Sequence, residues 1–181
     1  LMLFSFFRSD DPLTAIINLL LFVPVILISL TVHEVAHGYV AYKCGDPTAK
    51  AFGRLTLNPL KHLDPMGALC MLFVGFGWAK PVPVNMRNLR KPRRDIALVS
   101  LAGPLANLLL AFASAFIFAL LARIFLLSGM TSEAQLTASS YVLSLFYLII
   151  YLNIGLALFN LIPLPPLDGS KILASVLPHK T

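Results

Sequence analysis

Residues 13–37 read LTAIINLLLFVPVILISLTVHEVAH, and this stretch decides the fold. From Leu13 to Val32 no side chain is charged. A helix needs roughly 20 such residues to cross the hydrocarbon of a bilayer. The run then ends in an acid and two imidazoles within five residues, His33-Glu34-Val35-Ala36-His37. On a helix, His33 and His37 lie one turn apart on one face, so both can reach a single Zn²⁺. Glu34 lies close by, where it can take a proton from water. In a soluble domain, two surface histidines and an unrelated glutamate would explain the pattern equally well. In an apolar span the cost of inserting such groups works against accident and marks them as functional.

Composition agrees with this reading. Of 181 residues, 58% are hydrophobic and 12% charged, and the mean hydropathy is +0.84. A soluble domain carries about twice that charged fraction. The chain is therefore expected to be one polytopic membrane domain over residues 1–181, with 1–12 as an N-terminal flank. That flank does not read as a signal peptide, because Asp10 and Asp11 follow Arg8 and the apolar run is too long for one. The net charge of +6 could suggest nucleic acid, but the basic residues flank apolar spans, which fits anchoring to lipid headgroups. Cys44 and Cys70 have no metal-ligand spacing and suggest no disulfide framework.

Three segments are long enough to span: Leu13 to about Tyr42 with Pro24 as an expected kink, Ile96 to Ala122, and about Leu136 to Asn160. Met66 to Ala79 is too short and contains three glycines, so a re-entrant segment is expected there. Ten of the fourteen Lys and Arg lie between Lys43 and Arg94, which places residues 43–94 in the cytoplasm. Ala51–Leu57 has partial strand alternation. Lys80-Pro81-Val82-Pro83-Val84-Asn85 fits only an edge strand, since its two prolines remove donors. The expected fold is an all-α integral membrane protein, with a three-helix core and a small re-entrant or β element on the cytoplasmic side. Gly169 to Leu177 reads as the start of another helix, and an end at Thr181 is compatible with a truncated chain.

Two histidines need a third ligand to complete a zinc site. Asp168 is the only acid after Glu133, and it follows the prolines that break the third span. It can instead be read as the N-cap of the short helix that follows. Paired with His33 and His37, the ligand reading is preferred. The charge pattern brings these residues and Gly103-Pro104-Leu105-Ala106-Asn107 to a similar depth on the cytoplasmic side.

With these motifs in place, the chain resembles the site-2 protease family of intramembrane zinc metalloproteases, in its compact bacterial and archaeal branch without a PDZ domain. HEVAH matches the family's HExxH. Asn160 to Gly169 matches its Asn…Pro…Leu-Asp-Gly motif, and Gly103 to Asn107 its Gly-Pro-x-x-Asn segment. Phe52–Pro59 and Gly77–Asn85 look like the same branch, and the resemblance covers roughly Ile28 to Leu173. It implies a three-helix catalytic core with one Zn²⁺ on His33, His37 and Asp168, Glu34 as general base, and Asn160 and Asn107 near the substrate carbonyl. From the residues alone, Asn160 reads equally well as a helix-end amide, and Asn107 as an interhelical contact. Asn153 reads as a helix–helix contact, and His62, Trp78 and Lys80 as interfacial residues. Val82 and Val84 are expected to pair with an unwound substrate.

The expected activity is a zinc endopeptidase that cuts transmembrane segments of membrane proteins, in regulated intramembrane proteolysis. It would be a multi-pass cell-membrane protein with its site toward the cytoplasm and no nucleic-acid partner. A metal transporter and a catalytically dead scaffold are the competing readings. A transporter calls for ligands along a path and often for related halves. The intact Glu34 speaks against a scaffold.

Overall fold

The computed structural model describes residues 11–67, 70 and 79–177. Helix α1, Pro12–Lys43, starts where Asp11 accepts hydrogen bonds from the amides of Leu13 (3.3 Å) and Thr14 (3.0 Å) and Pro12 occupies the first turn. It ends at Cys44 and Gly45, whose φ of 108° lies in the left-handed region that glycine favours. A short helix α2, Thr48–Ala51, follows. Helix α3, Pro92–Leu127, begins at a proline, and buried Asp95 reaches back to the Lys91 amide at 2.8 Å. Helix α4, Glu133–Asn160, stops at the turns before Pro163, and helix α5, Asp168–Val176, restarts the chain.

Helices α1, α3 and α4 are each long and apolar enough to cross a membrane. Their limits extend the expected spans by a few residues, and Pro24 lies inside α1. Phe22, Val25 and Ile26 of α1 pack against Leu148 and Leu152 of α4. α3 packs against α1, α4 and α5. Leu109, Phe112, Phe116 and Leu126 of α3 stay exposed, as lipid-facing side chains do, since tails are as apolar as leucine.

The expected β element is not borne out among the described residues. Among the described residues there is no strand, only a single antiparallel bridge between Leu63 and Ala79. Ala51–Leu57 forms the end of α2 and a turn, in which Phe52 and Arg54 donate to the carbonyls of Thr48 and Ala49. Lys80–Asn85 pairs with no strand among the described residues, and three of its four amide donors are engaged by other groups. The amide of Lys80 bonds the His62 carbonyl (2.8 Å), that of Val82 bonds Glu34, and that of Asn85 bonds Asp46. Buried Arg54 donates to the carbonyls of Lys61, Lys80 and Pro81. The re-entrant expectation for Met66 to Ala79 falls largely outside the described residues, as does Trp78.

Asp46 anchors the far end of this segment. It is fully buried and accepts from the amide of Asn85 (2.6 Å), the side-chain amide of Asn88 (2.9 Å), and both the amide and hydroxyl of Thr48. Burial opposes its charge, but these hydrogen bonds hold its carboxyl below the usual range. Asp46→Ala should cost roughly 2–3 kcal/mol, because it strands buried donors. The readouts are the thermal midpoint in detergent and amide exchange at Asn85, and no change in either would show that the anchor carries no load.

Candidate metal centre

Consecutive turns of α1 place His33 and His37 on one face, with both side chains buried. The break between α4 and α5 turns the chain so that buried Asp168, first residue of α5, meets them. Gly169 makes this turn possible. A Cβ there would lie 2.5 Å from the Leu161 carbonyl carbon and 2.6 Å from the Ile162 oxygen, so only glycine lets α5 start against the end of α4.

The three side chains converge on one point. His33 Nε2 and His37 Nε2 are 2.9 Å apart, and Asp168 Oδ2 lies 3.2 Å from the first and 3.0 Å from the second. The other ring nitrogens show what these atoms are. His37 Nδ1 lies 2.6 Å from the Val99 carbonyl, which can only accept, so Nδ1 carries the proton and Nε2 a lone pair. His33 Nδ1 lies 2.6 Å from Asn107 Oδ1, with the same consequence. Two imidazole lone pairs and a carboxylate oxygen then face one another at contact distance, and a cation among them relieves the repulsion. Tetrahedral zinc with bonds of about 2.05 Å separates its donors by about 3.3 Å, close to this triangle. The donor set therefore fits Zn²⁺, and His33, His37 and Asp168 are the group that could hold it.

Lys171 donates to the other carboxylate oxygen, Asp168 Oδ1, at 3.1 Å, which leaves Oδ2 for the metal. Burial opposes ionisation of Asp168. The Lys171 ammonium opposes that cost and favours the ionised carboxylate.

These groups sit in a cavity of about 720 Å³, which Glu34, Val82, Val84 and Asn160 also line. Glu34 Oε2 accepts from the Val82 amide at 2.8 Å. That amide, expected to be open to substrate, is thus committed to Glu34. Asn160 donates to the Leu156 carbonyl at 2.9 Å, the helix-end role read from the sequence, while still lining the cavity. Asn107 is placed differently from expectation. It is wholly buried, with its amide engaged by His33, Asn153 and Ser29, and it does not line the cavity. His62 is buried with its Nε2 on the Thr56 carbonyl, so it is not an exposed interfacial residue.

Sequence reasoning passed over Lys171, Ser100 and the Val99 carbonyl. Lys171 was detectable as a cation one turn beyond Asp168. Ser100 lines the cavity with a buried hydroxyl that has no partner among the described residues. The Val99 carbonyl has no side-chain signal at all. Gly103 has one, in the Gly-Pro pair. A Cβ there would collide with the His37 ring and lie 2.6 Å from His33 Cε1, so α3 approaches the ligands only because this residue has none. Gly103→Ala should displace the imidazoles and weaken zinc binding by about tenfold or more. Competition with a chelator measures this, and unchanged affinity would show that the rings move aside without cost.

The comparisons agree with this chemistry. Residues 21–181 match the family described as Peptidase family M50. The chain is 53% identical over 154 residues to the Bacillus subtilis protein named "Putative zinc metalloprotease YwhC", covering 84% of this chain and 67% of that protein. Proteins of the same description, both named Rip2, match from Mycolicibacterium smegmatis (32% over 160 residues) and Mycobacterium tuberculosis H37Rv (36% over 159). These alignments cover 86% and 84% of this chain but 56% and 54% of the mycobacterial proteins, so the chain spans little more than half their length. No solved structure matches the chain significantly. With a family match over most of its length and three membrane-compatible helices, this multi-pass membrane protein belongs to peptidase family M50, the site-2 protease family of zinc metalloproteases.

Proposed function

We propose that the chain is an intramembrane endopeptidase that cuts its protein substrates in or near their transmembrane segments, as in regulated intramembrane proteolysis. The observation that carries this is the convergence of His33, His37 and Asp168 beside Glu34, in a cavity formed by elements of a three-span bundle. One Zn²⁺ per chain is held by those three residues. When bound, zinc supplies Lewis acidity that polarises a scissile carbonyl and makes water a usable nucleophile near neutral pH.

The protein's own groups do the rest. Glu34 is the general base, taking a proton from water and returning it to the leaving amine. The Val82 amide fixes one of its oxygens and leaves the other to the cavity. Asn160 uses one N–H on the Leu156 carbonyl and has a second for the oxygen of the reacting carbonyl. An unwound substrate lies along Lys80–Asn85, where Val84 offers its amide. Asn107 acts on His33 rather than on substrate. The basic residues from Arg87 to Arg94 support a cytoplasmic position for this end of the bundle. Ligands gathered at one point, rather than strung along a path, favour hydrolysis over transport.

Glu34→Gln removes the base but no ligand, so purified variant should keep its zinc while cleavage of a transmembrane substrate stops. Wild-type turnover in that variant would sink the assignment. Val84→Pro should slow cleavage with zinc retained, since it deletes the donor offered to substrate. Single cysteines at Arg87 or Arg93 should label only from the cytoplasmic side, and labelling from outside intact cells would invert the orientation.

A further inference from the structure

We propose that Asn153 is a positioning residue for the metal centre: held by Ser29 and the Ile149 carbonyl, it fixes the amide of Asn107 and so the tautomer of His33. This rests on the reading of His33 as a zinc ligand.

Each spanning helix contributes one residue to a buried polar chain, Ser29 from α1, Asn107 from α3 and Asn153 from α4. Their exposures are 1%, 0% and 0%. Asn107 Oδ1 lies 2.6 Å from His33 Nδ1. Asn107 Nδ2 donates to Asn153 Oδ1 at 2.6 Å and to the Ser29 carbonyl at 3.3 Å. Asn153 Nδ2 donates to Ser29 Oγ and to the Ile149 carbonyl, both at 2.8 Å. Ser29 Oγ in turn donates to the Val25 carbonyl at 2.7 Å.

The two ends of an amide have nearly the same shape, so packing alone does not decide which faces His33. The consequence of the choice is large. If Asn107 presented Nδ2, His33 Nδ1 would have to accept, and the ring proton would sit on Nε2, where a ligand needs a lone pair. Carbonyls settle the choice, because they only accept. The Ile149 carbonyl requires Nδ2 of Asn153 on its side. Ser29 Oγ has given its proton to Val25 and must receive one from Asn153. Asn153 therefore turns Oδ1 toward Asn107, which must answer with Nδ2, and the Ser29 carbonyl requires the same. Oδ1 of Asn107 is left for His33. A reversed Asn107 would set like atoms together at Asn153 and again at Ser29, in a buried site without water to absorb the mismatch.

Three measurements test this on the full chain in detergent. With ¹⁵N-labelled histidine and no zinc, above the range in which imidazole titrates, His33 should be the Nδ1–H tautomer. Asn153→Leu keeps the volume but loses the acceptor, and it should mix the tautomers and weaken zinc binding about tenfold in chelator competition. Asn153→Asp keeps an acceptor for Asn107, and it should retain the wild-type tautomer and affinity. A merely structural role would lower the thermal midpoint of the zinc-free Asn153→Leu variant without moving the tautomer. An Nε2–H His33 in zinc-free wild type overturns the proposal, as does an Asn153→Leu variant with unchanged tautomer and affinity. Should Asn153→Leu not fold, the wild-type tautomer and the Asp variant still decide. Wild-type protein that binds no zinc through His33 removes the ligand reading itself, a separate failure.

Discussion

Three electron-pair donors within about 3 Å of one another, inside a bundle of apolar helices, set the terms for everything around them. Unprotonated imidazoles and a carboxylate repel at that distance, and a low-dielectric interior does little to screen the repulsion. The arrangement persists only because each donor is held from behind. Val99 and Asn107 hold the two rings by their Nδ1 atoms, and Lys171 holds the far oxygen of Asp168. A cation among them would turn the same repulsion into attraction. Gly103 and Gly169 serve this geometry by omitting side chains where α3 and α5 must approach.

The site was legible in the sequence to the extent that local spacing determines geometry. His33 and His37 four residues apart on a helix can have only one relation, and the prolines before Asp168 forced a break that brings a lone acid back toward the bundle. The spans were legible because twenty uncharged apolar residues admit few alternatives. Residues 51–57 and 80–85 form no strand among the described residues, because alternation describes which face is buried, not which group satisfies the backbone. Here Glu34, Asp46 and Arg54 take the places that a neighbouring strand would fill. Of the two roles open to Asn107, the geometry favours the interhelical one, since its depth relative to the ligands depends on how α3 crosses α1. The tie between Asn153 and Ser29, 124 residues apart, leaves no trace in any local pattern.

The polar chain from Ser29 to His33 also explains how so many amides are tolerated at membrane depth. In lipid each would carry an unmet hydrogen bond, whereas here each polar atom meets a group of the opposite kind. Such a chain is worth little as adhesive, because the unfolded helices also find partners in the membrane. Its value lies in direction. Donors and acceptors alternate in one sense from the carbonyls of α1 and α4 to the ring of His33, so the helix backbones themselves dictate where a ring proton sits.

Glu34 is tied to a backbone amide rather than to a charged side chain. In the proposed role of general base, a cationic partner would hold the carboxylate too firmly for proton transfer. One neutral N–H from Val82 orients the carboxylate and leaves its second oxygen to the cavity. The flanking prolines, Pro81 and Pro83, make this arrangement selective, because they remove the competing donors on either side. A segment that reads as a poor strand is therefore a suitable splint: it offers one donor to Glu34 and, in the proposed function, leaves the next, at Val84, for substrate.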